Sequence, residues 1–267
     1  MIHVTLKDGS VKEFENGISV MEIVKGLGAG LYKAACACKV NGELCDLRTV
    51  LNEDCALEVL TFDSEEGRRA FNHTASHILA QAVKRLYPGA KLAIGPAIAD
   101  GFYYDIDVAW ERAGNNLVGV WSITSSNMRE IVKEAYDIER FELDRAGADA
   151  LMADEPYKLE LIAEHSANGE PVSFYKQGEF TDLCAGPHLP DTGRVKAVKL
   201  IQTTGAYWRG DAQNKMLCRV YGVAFPKQSE LDAHLKMLEE AKKRDHRKLG
   251  KELELFDIFD EGPGFPA

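Results

Sequence analysis

The segment that most narrows what this chain can fold into runs from Ser64 to Leu86, and it reads as one long helix. Ser64-Glu65-Glu66-Gly67 supplies a start and Pro88-Gly89 a stop, while Ile78, Leu79, Ala82, Val83 and Leu86 recur at spacings that build one apolar stripe. His73 and His77 stand one turn apart on this helix, with Cβ atoms about 5–6 Å from each other. At about 100° per residue both point roughly 150–190° from the centre of the stripe, off the apolar face of their own helix. That weakens a core-histidine reading. The plain alternative is a pair of exposed or capping histidines, because HxxxH here lacks the glutamate of a metalloprotease motif.

Around this helix the pattern predicts an α+β chain. Before it, Val4-Thr5-Leu6-Lys7 and Ser10-Val11-Lys12-Glu13-Phe14 flank Asp8-Gly9, which is a hairpin of two alternating strands. A Ser19-capped helix and short strands over 37–40, 42–44 and 56–60 complete a small sheet domain, residues 1–62. Residues 63–226 mix helices with strands such as Val172-Ser173-Phe174-Tyr175 and 216–221, without βαβ regularity. Ser229-Glu230-Leu231-Asp232 then opens a strut helix striped by Leu231, Leu235, Leu238, Leu249 and Leu253, roughly 25 residues and 38 Å long. With the turn-rich end Gly262-Pro263-Gly264-Phe265-Pro266 it makes a third segment, 227–267, whose stop reads as a cut.

A length of 267 residues suits two modest domains, and a formal net charge of -10 argues against a general nucleic-acid coat protein. A local basic patch remains: between Lys236 and Lys251 there are seven Lys or Arg against three acids. No run approaches the ~18 apolar residues of a membrane span, and the N-terminus lacks a secretory apolar core, so the expectation is a cytoplasmic chain with no membrane partner. Four of the six cysteines (Cys36, Cys38, Cys45, Cys55) fall within twenty apolar-rich residues and are expected as reduced, small buried hydrophobes, with a zinc site the lesser alternative.

Thr181-Asp182-Leu183-Cys184-Ala185-Gly186-Pro187-His188 is the second chemical cluster. Gly-Pro forces a loop that holds a thiol and an imidazole close together. His73, His77, Cys184 and His188 form a three-nitrogen, one-sulfur set able to bind zinc or to position water for hydrolysis; a Cys-His nucleophile pair and a merely buried thiol are the alternatives. Spacing does not choose among these.

Taken with Lys39-Val40-Asn41-Gly42, Ile94-Gly95-Pro96, Gly101-Phe102-Tyr103-Tyr104-Asp105, Ala206-Tyr207-Trp208-Arg209-Gly210-Asp211 and the run from Lys243 to Gly250, these clusters resemble the N-terminal half of bacterial threonyl-tRNA synthetases. The resemblance covers nearly the whole chain. It implies a β-grasp TGS domain (1–62), a threonyl/alanyl-type editing domain (63–226), and a linker helix with the start of an aminoacylation domain (227–267). It further implies hydrolysis of mischarged Ser-tRNA specific for threonine. Serine lacks one methyl, worth only about 1–3 kcal/mol in a binding pocket, so a second sieve is needed. An aminoacyl ester is already activated, and a site that orients water and stabilises an oxyanion suffices.

By this resemblance His73 and His77 contact substrate and water, Cys184 and His188 form the facing half, and Lys158 and Asp182 are further catalytic residues, with Tyr104 lining the pocket. A solvated lysine at a strand start, a turn-capping aspartate and a packed tyrosine are the bland alternatives for the last three. Lys242, Lys243, Arg244, Arg247 and Lys248, and with less support Arg209 and Lys215, would brace tRNA. No cofactor is expected for editing, although zinc fits the four-residue cluster; ATP, magnesium and catalytic zinc belong to the missing domain. The full-length family implies a homodimer, and a fragment is expected to be monomeric. The rival readings are a non-catalytic tRNA-binding or regulatory module and a free-standing trans-editing deacylase. One segment departs from the resemblance: residues 109–127 carry only Glu111 and Arg112 as charges where relatives have an acid-rich helix.

Overall fold

Ile2–Leu6 and Val11–Phe14 pair antiparallel across Asp8-Gly9, as their alternation predicts. The computed structural model describes residues 1–108, 111–113, 116–118 and 125–243. Residues Met1–Pro226 form one compact unit and Lys227–Ala267 a second.

The N-terminal sheet runs in the order Val11–Phe14, Ile2–Leu6, Cys55–Thr61, Ala35–Val40, Glu43–Cys45. The central strand, Cys55–Thr61, runs parallel to its neighbour Ile2–Leu6, and the helix α1 (Val20–Leu27) packs Val20, Ile23 and Val24 into one core with Val4, Leu47 and Leu57. This is a β-grasp fold. A capping box starts α1: the Ser19 hydroxyl accepts from the Glu22 amide at 3.2 Å, and the Glu22 carboxylate accepts from the Ser19 amide at 3.0 Å. Helix α2 (Ala29–Ala34) leads into the strand Ala35–Val40, which carries Cys36 and Cys38 inward. All six cysteines are free thiols.

Helix α3 (Glu65–Leu86) follows, with Ser64 as its N-cap and Tyr87 closing it before Pro88. Ile78, Leu79, Ala82 and Val83 pack on Phe102, Tyr104 and Ile106 of an antiparallel sheet ordered Ala197–Tyr207, Met216–Phe225, Gly101–Asp107, Lys91–Leu92. Each fully buried Ile, Leu, Val or Phe among these contributes roughly 1.5–3 kcal/mol. The opposite face is not solvated. From Asn72 to Val83 every residue except half-buried His73 is buried, because a second layer covers that side. The plain alternative of an exposed histidine pair does not hold: His77 is buried and His73 half-buried. Leu86, the last residue of the predicted stripe, is 39% exposed at the helix end.

The second layer is a three-stranded antiparallel sheet of Ile138–Leu143, Val172–Gln177 and Phe180–Leu183, with helices α4 (Ser125–Glu134), α5 (Arg145–Leu151) and α6 (Pro156–His165) around it. Lys158 sits on α6, not at a strand start; Pro156 at the first helical position is the local cue that the strand reading passed over. Within 109–127, Glu111–Ala113 pairs antiparallel with Asn116–Val118 and α4 begins at Ser125, while 109–110, 114–115 and 119–124 lie outside the described residues. In the second unit, helix α7 (Gln228–Lys243) is the described part of the predicted strut. Arg244, Arg247, Lys248 and the segment 244–267 lie outside the described residues, as do the side chains of Lys242 and Lys243.

Candidate active site

His73 and His77 project from α3 toward the turn that follows Phe180–Leu183, and that turn brings Cys184 and His188 onto them. The imidazole rings of His73 and His77 meet edge to face at 5.2 Å, and each lies 4.2 Å from the His188 ring. Cys184 Sγ is 3.2 Å from both His73 Nε2 and His188 Nε2. The four ligand-type atoms all lie within 4.8 Å of one another. Two clusters 111 residues apart in sequence thus become one site.

The turn is held by backbone geometry. Gly186 has φ +75°, and a Cβ there would stand 2.0 Å from the Tyr175 hydroxyl, so neither the conformation nor the space admits a side chain. His188 is fully buried, and its protonation pattern follows from its neighbours. The Thr74 hydroxyl donates to the Ala70 carbonyl at 3.0 Å and accepts from the Leu189 amide at 3.0 Å. Having spent its one proton, it accepts from His188 Nδ1 at 3.1 Å, which leaves the His188 Nε2 lone pair facing the thiol.

Beside the histidines lies a second trio. Lys158 Nζ is 2.6 Å from Asp182 Oδ1, the Tyr104 hydroxyl donates to Asp182 Oδ2 at 2.5 Å, and Lys158 also donates to the Tyr104 oxygen at 3.1 Å. His77 Nε2 stands 3.7 Å from Asp182 Oδ2. Tyr104, expected to line the pocket, is fully buried and is not among the cavity-lining residues; its hydroxyl holds Lys158 and Asp182. Gly95 makes room for it, since a Cβ there would come within 2.1 Å of the Tyr104 ring.

Burial dominates the electrostatics. It depresses His77 to about 4 although Asp182 pulls upward, and burial together with neighbouring His77 depresses His73 to about 3. His188 is also pushed well below the ordinary histidine range by burial. Burial raises the Cys184 thiol to about 12. For Asp182 burial opposes ionisation, but Lys158, His77 and the hydrogen bonds outweigh it and hold the carboxyl below its ordinary value. At neutral pH the site therefore offers three neutral imidazoles, a thiol and a carboxylate.

His73, His77, Lys158, Asp182 and Cys184 line a cavity of about 530 Å³, whose far wall includes Leu161 and Glu170. That volume lies within the ~300–1,000 Å³ of small-ligand sites. The donor set also suits a metal ion. Zinc bound at about 2.0–2.3 Å sets its ligand atoms roughly 3.3–3.8 Å apart, and the spacings here bracket that range.

Arg209 is paired with Glu164 at 2.5 Å and Glu160 at 3.4 Å, and Lys215 with Asp107 at 2.8 Å, while Arg209 stays 41% and Lys215 65% exposed. Sequence reasoning missed Asp46, Arg48, Thr74 and Tyr175, all of which touch the His188 turn. Thr74 sits inside the HTASH run, and no local motif marks the other three.

Residues 2–61 match the family described as TGS domain, and residues 172–221 match the family described as Threonyl and Alanyl tRNA synthetase second additional domain. The chain is 60% identical over 268 residues to the threonine–tRNA ligase of Clostridium tetani, covering 100% of this chain and 41% of that protein. It is 57% identical to the threonine–tRNA ligase of Acetivibrio thermocellus and 58% identical to that of Clostridium botulinum, strain Loch Maree, with the same coverage. It thus spans about two-fifths of the length of these curated relatives. Asp182, Cys184 and His188 fall inside the matched additional domain, whereas His73, His77 and Lys158 lie outside both matched segments.

Proposed function

From a chain that corresponds along its full length to the N-terminal region of threonine–tRNA ligases, we propose that the cavity hydrolyses the ester joining serine to tRNA specific for threonine. The observation that carries this reading is the convergence of neutral His73 and His77 with Cys184 and the Lys158–Asp182 pair on one small-ligand cavity.

The chemistry follows from what each group has left to give. A neutral imidazole offers a lone pair at neutral pH, so His73 or His77 orients a water and accepts its proton as the oxygen attacks the ester carbonyl. Two of the three Lys158 donors go to Asp182 and Tyr104. The third is available to the oxygen that becomes negative in the tetrahedral intermediate. Collapse of that intermediate expels the terminal ribose hydroxyl, which takes a proton back from the imidazolium. Asp182 keeps Lys158 in place and has capacity for the serine ammonium. Cys184, its thiol raised to about 12, is not an activated nucleophile, which favours water over an acyl-enzyme. The cavity need reject only one methyl group, the discrimination that a synthetic site supplies poorly.

The same four donors also fit zinc: His73, His77, Cys184 and His188 would hold it, and it would supply a Lewis acid and an acidified water when bound. Editing through the chain's own groups requires no metal.

The test is serine release from Ser-tRNA specific for threonine, run beside Thr-tRNA and a His73→Ala/His77→Ala variant. Release that spares threonine and vanishes in the variant supports the deacylase. Tight tRNA binding without release supports a non-catalytic RNA-binding module instead.

A further inference from the structure

The tight turn at 45–49 of the TGS-matching segment reaches into the back of the cavity site. Its three central residues alternate in direction. Leu47 is fully buried in the core of its own sheet, and its carbonyl accepts from the Met21 amide at 2.7 Å. Asp46 and Arg48 point the other way. Asp46 Oδ1 accepts from the His188 backbone amide at 2.9 Å, and Oδ2 accepts a hydrogen bond from the Tyr175 hydroxyl. The Tyr175 ring in turn packs on the His188 imidazole at 4.5 Å. Arg48 pairs with Asp46 at 3.0 Å and gives its remaining donors to main-chain carbonyls: those of Leu189 at 2.5 Å, Pro190 at 2.9 Å, His188 at 3.3 Å, and Ile138. Both side chains are largely withdrawn from solvent, Arg48 being 17% exposed and Asp46 6%.

We propose that Asp46 and Arg48 are positioning residues for the deacylase site: the TGS turn fixes the loop carrying His188, and the N-terminal domain is a working part of the active site. The inference rests on the deacylase reading above. The physical reason is the His188 turn itself: its own domain holds the Pro190 carbonyl through the Ile138 amide at 2.9 Å and the Leu189 amide through Thr74 at 3.0 Å, whereas the His188 amide and the His188 and Leu189 carbonyls are bonded from the 45–49 turn. A carboxylate on one amide and a five-donor guanidinium spread over three successive carbonyls give it a single placement. That placement sets where His188 Nε2 meets Cys184, and through the ring contacts at 4.2 Å where His73 and His77 stand. No other turn of the N-terminal sheet has this pairing of a core-anchored apolar residue between two charged residues facing the catalytic loop among the described residues.

The experiment measures kcat and KM for serine release by the full chain with Asp46→Asn, Arg48→Lys and Asp46→Glu. Val4→Ala, which opens a cavity in the core of the N-terminal sheet away from the turn, is the stability control. Expected is a fall in kcat of about tenfold or more in Asp46→Asn and Arg48→Lys, with KM changed less than about threefold, partial recovery in Asp46→Glu, and parental kcat in Val4→Ala at a comparable loss of melting temperature. Parental kcat in the first two variants, or losses that merely track melting temperature in all four, overturns the proposal. Should Asp46→Asn not fold, Arg48→Lys decides alone, since it retains the charge. An inactive parent removes the deacylase reading instead; the ring nitrogen signals of His188 in histidine-labelled chain then decide the placement, which holds if they move in Arg48→Lys while those of exposed His165 stay, and fails if neither moves.

Discussion

Lys158 Nζ lies 2.6 Å from Asp182 Oδ1, and neither side chain is more than 4% exposed. A buried pair of this kind is weak evidence of stabilisation, because desolvation offsets much of the attraction, yet removal of one partner strands a charge. Asp182→Leu and Lys158→Met are therefore each expected to cost about 3–5 kcal/mol, and the double variant less than the sum of the two. Urea unfolding of the four chains checks this, and strictly additive losses would show that the two charges do not depend on each other.

The grouping of His73, His77, Cys184 and His188 was legible in the sequence because it is written in short local patterns, HTASH and CAGPH, together with the Gly-Pro turn. The secondary structure around Asp8-Gly9 and Ser19 was legible for the same reason: a hairpin turn and a capping box are decided within four residues. What was not legible is long-range. The histidine face of α3 lies opposite an apolar stripe, and a single helix gives no sign that a second layer will cover it. Asp46 meets His188 across 142 residues, through a main-chain amide that leaves no side-chain pattern to read. Lys158 lies in the first turn of α6, which Pro156 opens, and its burial comes from the long-range contacts with Tyr104 and Asp182.

Acid should weaken the fold before it touches the carboxylates. His77 takes a proton near 6.5 in the unfolded chain and only near 4 in the folded one, and fully buried His188 is held low as well. Between those two values the unfolded state binds more protons, so stability is complete above about pH 6.5 and declines below it. The slope is about 1.4 kcal/mol per pH unit for each such histidine. Urea midpoints at pH 7.5, 6 and 5 should fall in that order, less steeply in His77→Asn. A midpoint unchanged down to pH 5 would contradict the buried neutral histidines.

Cys184 should be slow to alkylate and dispensable as a nucleophile. Cys184 and Cys45 are both half-buried, but burial among its packed neighbours raises the Cys184 thiol to about 12, so it holds almost no thiolate at pH 8. Iodoacetamide followed by peptide mapping is expected to mark Cys45 first. Cys184→Ser should keep serine release within about tenfold of the parent, because the hydroxyl still donates to one of the two flanking lone pairs. A stable acyl-enzyme trapped on Cys184 would reverse this assignment.

Zinc should bind and inhibit rather than activate. The Nε2 atoms of His73 and His188 both face Cys184 Sγ at 3.2 Å, and the thiol has one proton to share between them, so a cation entering here displaces that proton and takes the lone pairs. Displacing a proton from a thiol raised to about 12 makes binding weaken as pH falls. The His73 lone pair is one of those that orient and deprotonate water in the proposed metal-free reaction. Chelator treatment is therefore expected to leave serine release within about twofold, and one equivalent of zinc to lower it by about tenfold or more, with proton release on titration. Zinc restoring or raising the rate in a chelator-treated chain would shift the chemistry from the histidines to a metal held by them.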